Sequence, residues 1–265
     1  MLNVRPLVSD RPDGPGGSWS RLATIVTGGA SGIGRAAVEL FRKHGAEVLS
    51  VDLDPVGAES AEASGAHFLR ADVSTEAGWE SIMEAAGRTL GHPDVLFLNA
   101  GVPVLEPDVL TADLDRVARA YAVNVGGVLH GLRAGVPVLE RHGGGDVVVT
   151  ASLAAVMPYW SDPCYAMTKH AVLGLARSVA PKLLKRGVRV NVLCPGVIDT
   201  PILPDHISAA MRAAGLAPLP PADVAEHLLE VLAAGGSGRI WLSQTQLGLV
   251  EYTPAPVPMP VPQRT

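Results

Sequence analysis

The amino-acid sequence predicts an α/β fold: a doubly wound, seven-stranded, mostly parallel sheet with helices on both faces. Three observations predict it. Short runs rich in β-branched and apolar residues alternate with longer helix-forming stretches. Several of those runs, DVLFLNAG and GDVVVTAS among them, are apolar almost throughout, as strands covered on both faces must be. The segments between the first six runs are long enough for the crossover helices that parallel strands need.

The first strand, Leu22 to Val26, runs into TGGASGIG at Thr27 to Gly34, and Arg35 to Leu40 then reads as a helix. In this setting Gly28 permits a tight strand-to-helix turn, Gly32 lets the backbone approach a pyrophosphate, and Gly34 allows close helix–sheet contact. The free N–H groups of the helix start favour the anion. A glycine-rich loop alone is weak, but its place after the first strand and before a helix points to a dinucleotide-binding Rossmann fold.

The second strand, AEVLSVD, ends at Asp52, where a carboxylate meets the hydroxyls of an adenosine ribose and repels a 2′-phosphate. Ser31 stands where a basic residue could have neutralised that phosphate. Both favour NAD over NADP. The competing reading makes Asp52 merely the start of the turn Asp52-Leu53-Asp54-Pro55.

The third run, HFLRAD, leads into Asp72 and Val73; the fourth ends in Asn99-Ala100-Gly101; the fifth leads to Ser152; the sixth, VRVNVLCPG, ends at Pro195-Gly196; the seventh is GRIWLS. Long helices are predicted over about 113–140 and 162–185, with apolar residues on more faces than a sheet covers. Taken singly the polar residues have plain explanations. Ser152 is a possible cap, Asn99 a turn former, Asn124 a polar residue near a helix kink, and Tyr165 with Lys169 an i, i+4 surface pair.

Residues 1–20 are rich in Pro, Gly, Asp and Ser without periodicity and predict a disordered tail. Residues 21–251 predict a single domain, and 252–265 a Pro-rich arm. With 265 residues, a net charge of -5 and scattered basic residues, neither nucleic acid nor an anionic membrane is an expected partner. Cys164 and Cys194 lie in no ligand cluster, so no metal is expected and the thiols read as reduced and packed. No apolar run near the ~18 residues of a membrane span and no signal peptide are read, which points to the cytoplasm.

The glycine spacing G-x-x-x-G-x-G, with Asp72, Asn99-Ala100-Gly101, Asn124, Ser152, Tyr165-x-x-x-Lys169 and Pro195-Gly196 in order, resembles the short-chain dehydrogenases/reductases of the classical type. The resemblance covers about 22–242. It implies an NAD-dependent oxidoreductase that interconverts a secondary alcohol and a ketone on a mostly apolar small molecule by hydride transfer. Alternatives are a dinucleotide sensor without turnover and an NADPH-linked carbonyl reductase.

A tyrosine with a pKa near 10 is a poor base at neutral pH, so Lys169 and the positive nicotinamide are expected to lower the pKa of Tyr165. Ser152 is expected to hold the substrate oxygen. The resemblance further implies that Lys169 grips the nicotinamide ribose and that Asn124 supports a proton-relaying water. It places the cofactor on Gly28, Ser31, Gly32, Ile33 and Gly34, on Asp52 and Leu53, and on Asp72 and Val73 at the adenine. Further contacts fall on Asn99, Ala100 and Gly101 beneath the ribose, and on Pro195, Gly196, Val197, Ile198 and Thr200 at the carboxamide. The expected substrate pocket is Val102, Leu153, Met157, Trp160, Val197, Ile202, Leu203, Ile207 and Met211.

Two details depart from the common pattern or refine it. Trp241-Leu242-Ser243-Gln244-Thr245 stands where many relatives carry Asp-Gly-Gly, which puts their end-of-sheet contacts in doubt. DPCYAMTKHA and NVLCPGVIDTPIL resemble the 15-hydroxyprostaglandin dehydrogenase branch without defining a substrate. Because such relatives pair their two long helices, a homodimer or homotetramer is expected.

Overall fold

A computed structural model describes residues 19–20, 22–200, 203, 205–256 and 258, with the side chains of 205–207 and 212 not included. The chain runs β1 (Ala23–Thr27), α1 (Gly32–Lys43), β2 (Glu47–Asp52), α2 (Gly57–Ser64), β3 (His67–Arg70), α3 (Glu76–Thr89) and β4 (Val95–Leu98). It continues with α4 (Leu114–Tyr121), a π-helical turn (Ala122–Gly126), α5 (Gly127–Arg141), β5 (Gly145–Thr150), α6 (Pro163–Leu184) and β6 (Val188–Pro195). The last elements are α7 (Asp205–Ala213), α8 (Pro221–Ala234), β7 (Ile240–Gln244) and β8 (Gly248–Tyr252). The sheet order is β3-β2-β1-β4-β5-β6-β7-β8, parallel except for the antiparallel β7–β8 pair.

Because each central strand is covered twice, its alternate residues feed two separate cores. Ile25, Leu96, Leu98, Val147 and Val149 pack with Trp79, Leu132, Leu139 and Val172 from α3, α5 and α6. Val26, Val95, Phe97 and Val148 pack with Val38, Phe41, Leu228 and Leu229 from α1 and α8. This two-sided burial is why the strands read as continuous apolar runs. The strand order reverses between β1 and β4, and the crevice that forms outside the carboxyl ends at such a point is where ligands bind in open α/β sheets.

Four expectations need correction. Among the described residues the sheet has eight strands instead of seven, because GLVEY turns back on β7 after a hairpin in which Gln246 has φ 63°. That hairpin occupies the position of the departure from Asp-Gly-Gly, and Tyr252, assigned to the arm, ends its last strand opposite Ile240. The predicted tail reaches at least two residues too far, since Trp19 is 1% exposed and sits in the core with Leu22 and Phe41. A single indole inside a Pro/Gly/Ser-rich stretch has no periodicity to announce it; residues 1–18 lie outside the described residues. Finally, the helical run Leu114–Arg141 is long and apolar enough to cross a bilayer. Its Val128, Leu132, Val136 and Leu139 instead face the sheet as core.

Candidate active site

At the carboxyl ends of the strands lies a cavity of about 700 Å³ that runs from the β1–α1 turn to the start of α6. Its first end is built by glycines. Gly28 has φ +70°, a conformation L side chains rarely adopt, and it takes the chain from β1 into the turn. A Cβ on Gly34 would lie 1.9 Å from the Gly28 carbonyl oxygen, so α1 starts close against the turn only because that atom is absent. Gly34 itself does not line the cavity; its contribution is this contact. Thr200 reaches over from the β6 side to within 3.0 Å of the position a Gly32 Cβ would take.

Asp52 lines the same end, with its carboxylate held by two backbone donors. Oδ2 accepts the Ala30 N–H at 2.9 Å and Oδ1 the Asp54 N–H at 3.0 Å. Asp52 thus starts the turn and also lines the cavity. Ser31, Ile33, Leu53, Asp72, Val73 and the stretches 99–101 and 195–198 complete the lining, together with Thr200. Asn99 also ties strand ends together, donating from Nδ2 to the Thr27 carbonyl and accepting the Thr150 hydroxyl. A cradle of bare backbone, a helix start and a carboxylate at the end of β2 fit a dinucleotide.

At the other end stand Ser152, Tyr165 and Lys169. Ser152 caps the short 3₁₀ turn Leu153–Ala155, its Oγ accepting the Ala154 N–H, and it hydrogen-bonds with the Tyr165 phenol. Lys169 is 3% exposed; its Nζ donates to the Thr150 carbonyl at 3.0 Å and lies 5.6 Å from the Tyr165 ring centre. Asn124 occupies the π-helical turn, 1% exposed. Its Oδ1 accepts the Val102 N–H, and its Nδ2 donates to the Val102 carbonyl and to Thr168 Oγ1. A Cβ on Gly101 would meet Lys169 Nζ at 3.2 Å and Asn124 Oδ1 at 3.3 Å, so the two side chains share one small space.

A family model described as short chain dehydrogenase matches residues 23–209 of this chain. The chain is a short-chain dehydrogenase. It is 38% identical over 181 residues to the short-chain dehydrogenase reductase ATA1 of Arabidopsis thaliana, covering 68% of this chain and 66% of that protein. It is 34% identical over 194 residues to (+)-borneol dehydrogenase 2 of Salvia officinalis, covering 71% and 69%. Among solved structures, 3-ketoacyl-(acyl-carrier-protein) reductase from Brucella melitensis complexed with NADH superposes with a TM-score of 0.78 at 28% identity, covering 86% and 98%.

Within this short-chain dehydrogenase, several expectations about the site change. Burial pushes the Tyr165 phenol up to about 12, against the Ser152 hydrogen bond that lowers it, and pushes Lys169 down to about 8. The expected depression of the tyrosine is thus not a property of the protein alone, because desolvation of a phenolate outweighs the nearby donors. Asn124 does not line the cavity; its amide is engaged with Val102 and Thr168.

Of the expected substrate residues, Val102, Leu153, Met157, Val197 and Leu203 line the cavity, whereas Trp160 and Met211 do not. Trp160 is 81% exposed, since it lies in the turn before α6 and points away from any core. Ile202 and the Ile207 side chain lie outside the described residues. Pro103, Leu105, Pro158 and Tyr159 were missed, yet line the cavity. Tyr159 meets Tyr165 edge-on, with ring centres 6.3 Å apart. Asp162 was also missed, although Asp followed by Pro ahead of an apolar helix is a capping signal.

Proposed function

We propose that this protein is an NAD-dependent dehydrogenase that interconverts a secondary alcohol and a ketone on a mostly apolar small molecule. The observation that carries the reading is the Tyr165 phenol, hydrogen-bonded by Ser152 and backed by Lys169, at one end of a cavity whose other end is the glycine turn with Asp52. The kinship with a borneol dehydrogenase and the fold shared with an NADH complex support it.

When bound, the nicotinamide supplies the carbon that accepts or donates hydride. The protein's own work is on the proton. Ser152 holds the substrate oxygen, and Tyr165 takes the hydroxyl proton in oxidation or gives one in reduction. Lys169 is fixed on the Thr150 carbonyl, facing the ring, so its ammonium favours the phenolate whenever the tyrosine gives up its proton. Asn124 keeps the space beside Lys169 and Gly101 in order, which in this reading is where a relay water passes the proton outward. The apolar residues beside Tyr165, among them Val102, Leu105 and Met157, set the preference for apolar substrates.

The test follows absorbance at 340 nm over a panel of secondary alcohols and ketones with both cofactors. Turnover of secondary alcohols or their ketones, faster with NAD(H), is expected. Binding of NAD without turnover would move the protein to the sensor reading. The raised phenol also sets a pH dependence. Below about 12 the resting phenol is protonated and below about 8 Lys169 keeps its ammonium, so kcat/KM for oxidation rises with pH from about 6 to about 8, while that for reduction does not. A profile for oxidation that falls over this interval contradicts the role of Tyr165.

We also propose that the protein works in the cytoplasm as a homo-oligomer. Leu114, Tyr121 and Leu129 on the α4–α5 run and Met167 and Leu184 on α6 are exposed apolar side chains that a second copy would cover. Light scattering at micromolar concentration is expected to give at least a dimer mass; a monomer mass refutes the proposal.

A further inference from the structure

Asp162 stands three residues before Tyr165, and it is only 4% exposed despite being an acid. Oδ1 accepts the Tyr165 N–H at 3.1 Å and caps α6. Oδ2 accepts two further amides from a distant part of the chain, Val104 at 2.9 Å and Leu105 at 2.7 Å. Leu105 has φ 62°, a left-handed conformation that is costly for leucine and persists only where surrounding contacts impose it. Its neighbour Val104 is buried with Ala120 and Cys164, while Leu105 lines the cavity beside Val102 and Pro103.

Capping alone does not explain a carboxylate here. Serine or asparagine caps a helix as well and brings no charge. The charge is in fact unfavourable for proton transfer, since it opposes ionisation of both Tyr165 and Tyr159. What a neutral cap lacks is a second oxygen with free lone pairs, and that oxygen is the one holding Val104 and Leu105.

We propose that Asp162 is a positioning residue for the reaction: one buried carboxylate fixes the Val104–Leu105 turn of the substrate wall to the first turn of the helix that carries Tyr165. The distance between wall and phenol is thereby set at a single point, and Leu105 is held in its strained conformation against the cavity. The kinetic part of this inference rests on the dehydrogenase reading above. The clamp itself does not.

The test is Asp162→Ser, which keeps a capping oxygen near the Tyr165 amide but is too short to hold the distant turn. In the free protein, amide exchange at Val104 and Leu105 should rise at least about tenfold while that at Tyr165 stays protected. Kinetically, KM for a bulky secondary alcohol should rise at least about fivefold, more than for a small one, with kcat changed less than about threefold. The alkaline rise of oxidation should also begin at lower pH. A negative charge will have left the surroundings of Tyr165, where Ser152, Tyr159, Lys169 and Cys194 remain.

If the serine variant does not fold, Asp162→Asn and Asp162→Asn with Leu105→Gly carry the same test. The amide has one oxygen for donors that the carboxylate holds with two, so exchange should rise at Tyr165 or at Val104 and Leu105, and in the latter case the glycine should recover part of the lost KM by removing the left-handed penalty. A lower melting temperature with unchanged exchange at these two amides, unchanged KM and an unchanged pH profile would overturn the proposal. Absence of turnover in the unaltered protein counts against the dehydrogenase reading instead, and the exchange measurement still decides the clamp.

Discussion

Replacing Tyr165 by phenylalanine is expected to lower kcat by about 10² to 10⁴-fold, the range that general acid–base catalysis contributes, and to leave NAD affinity nearly unchanged. The substitution deletes one oxygen. It keeps the ring against Tyr159 and beneath the Lys169 ammonium, so the packing around the site is retained. The fold should not suffer, because the lost phenol makes its hydrogen bond to Ser152, which still has the Ala154 N–H as a partner. Steady-state kinetics with a responsive alcohol, beside a direct titration of NAD, separates the two effects. Retention of more than about a tenth of the original kcat would remove Tyr165 from the chemistry. Lys169→Ala should differ by harming cofactor affinity as well as kcat, since one ammonium is assigned to both tyrosine and ribose.

The cofactor preference should be steep and should depend on Asp52. A 2′-phosphate held about 4 Å from a carboxylate meets it at roughly 4 kcal/mol per unit charge for an effective dielectric near 20. With between one and two charges on the phosphate, the repulsion is about 6 kcal/mol. The Asp52 oxygens already accept the Ala30 and Asp54 amides, and the site is open to solvent, so about half of that is lost to local compensation and screening. The remaining ~3 kcal/mol corresponds to a preference of at least about a hundredfold in kcat/KM for NAD over NADP. Asp52→Ser should narrow the gap chiefly by improving NADP, with some loss for NAD as ribose hydrogen bonds go. Equal use of the two cofactors by the unaltered protein, or an unchanged ratio in the variant, would show that this carboxylate does not face the ribose.

Residues whose role depends on local spacing were legible before the fold was known. Gly28, Gly32 and Gly34 form one turn, Tyr165 and Lys169 share one helical face, and Asp52 closes one strand; in each case the neighbours in sequence define the geometry. Residues whose role depends on distant partners were not. Asp162 was missed, and only the folded chain brings Val104 and Leu105 to its second oxygen. Trp160 was expected in the pocket and is exposed, whereas Leu105 was missed and lines the cavity. Asn124 was read from its place in a helix, but the π-helical turn that seats its amide on Val102 and Thr168 carries no sequence signature.

By itself, then, the sequence determined the strand–helix alternation, the parallel sheet, the glycine turn and the Ser152–Tyr165–Lys169 order, because periodicity and short-range spacing are properties of the chain before it folds. Tertiary structure alone decided that Trp19 is core, that an eighth strand pairs with β7, and that Asp162 accepts amides from both the Val104–Leu105 turn and the start of α6. It also decided the direction of the Tyr165 shift. A pKa depends on the water a group has lost and on the charges brought near it, and neither exists until segments far apart in sequence are packed together.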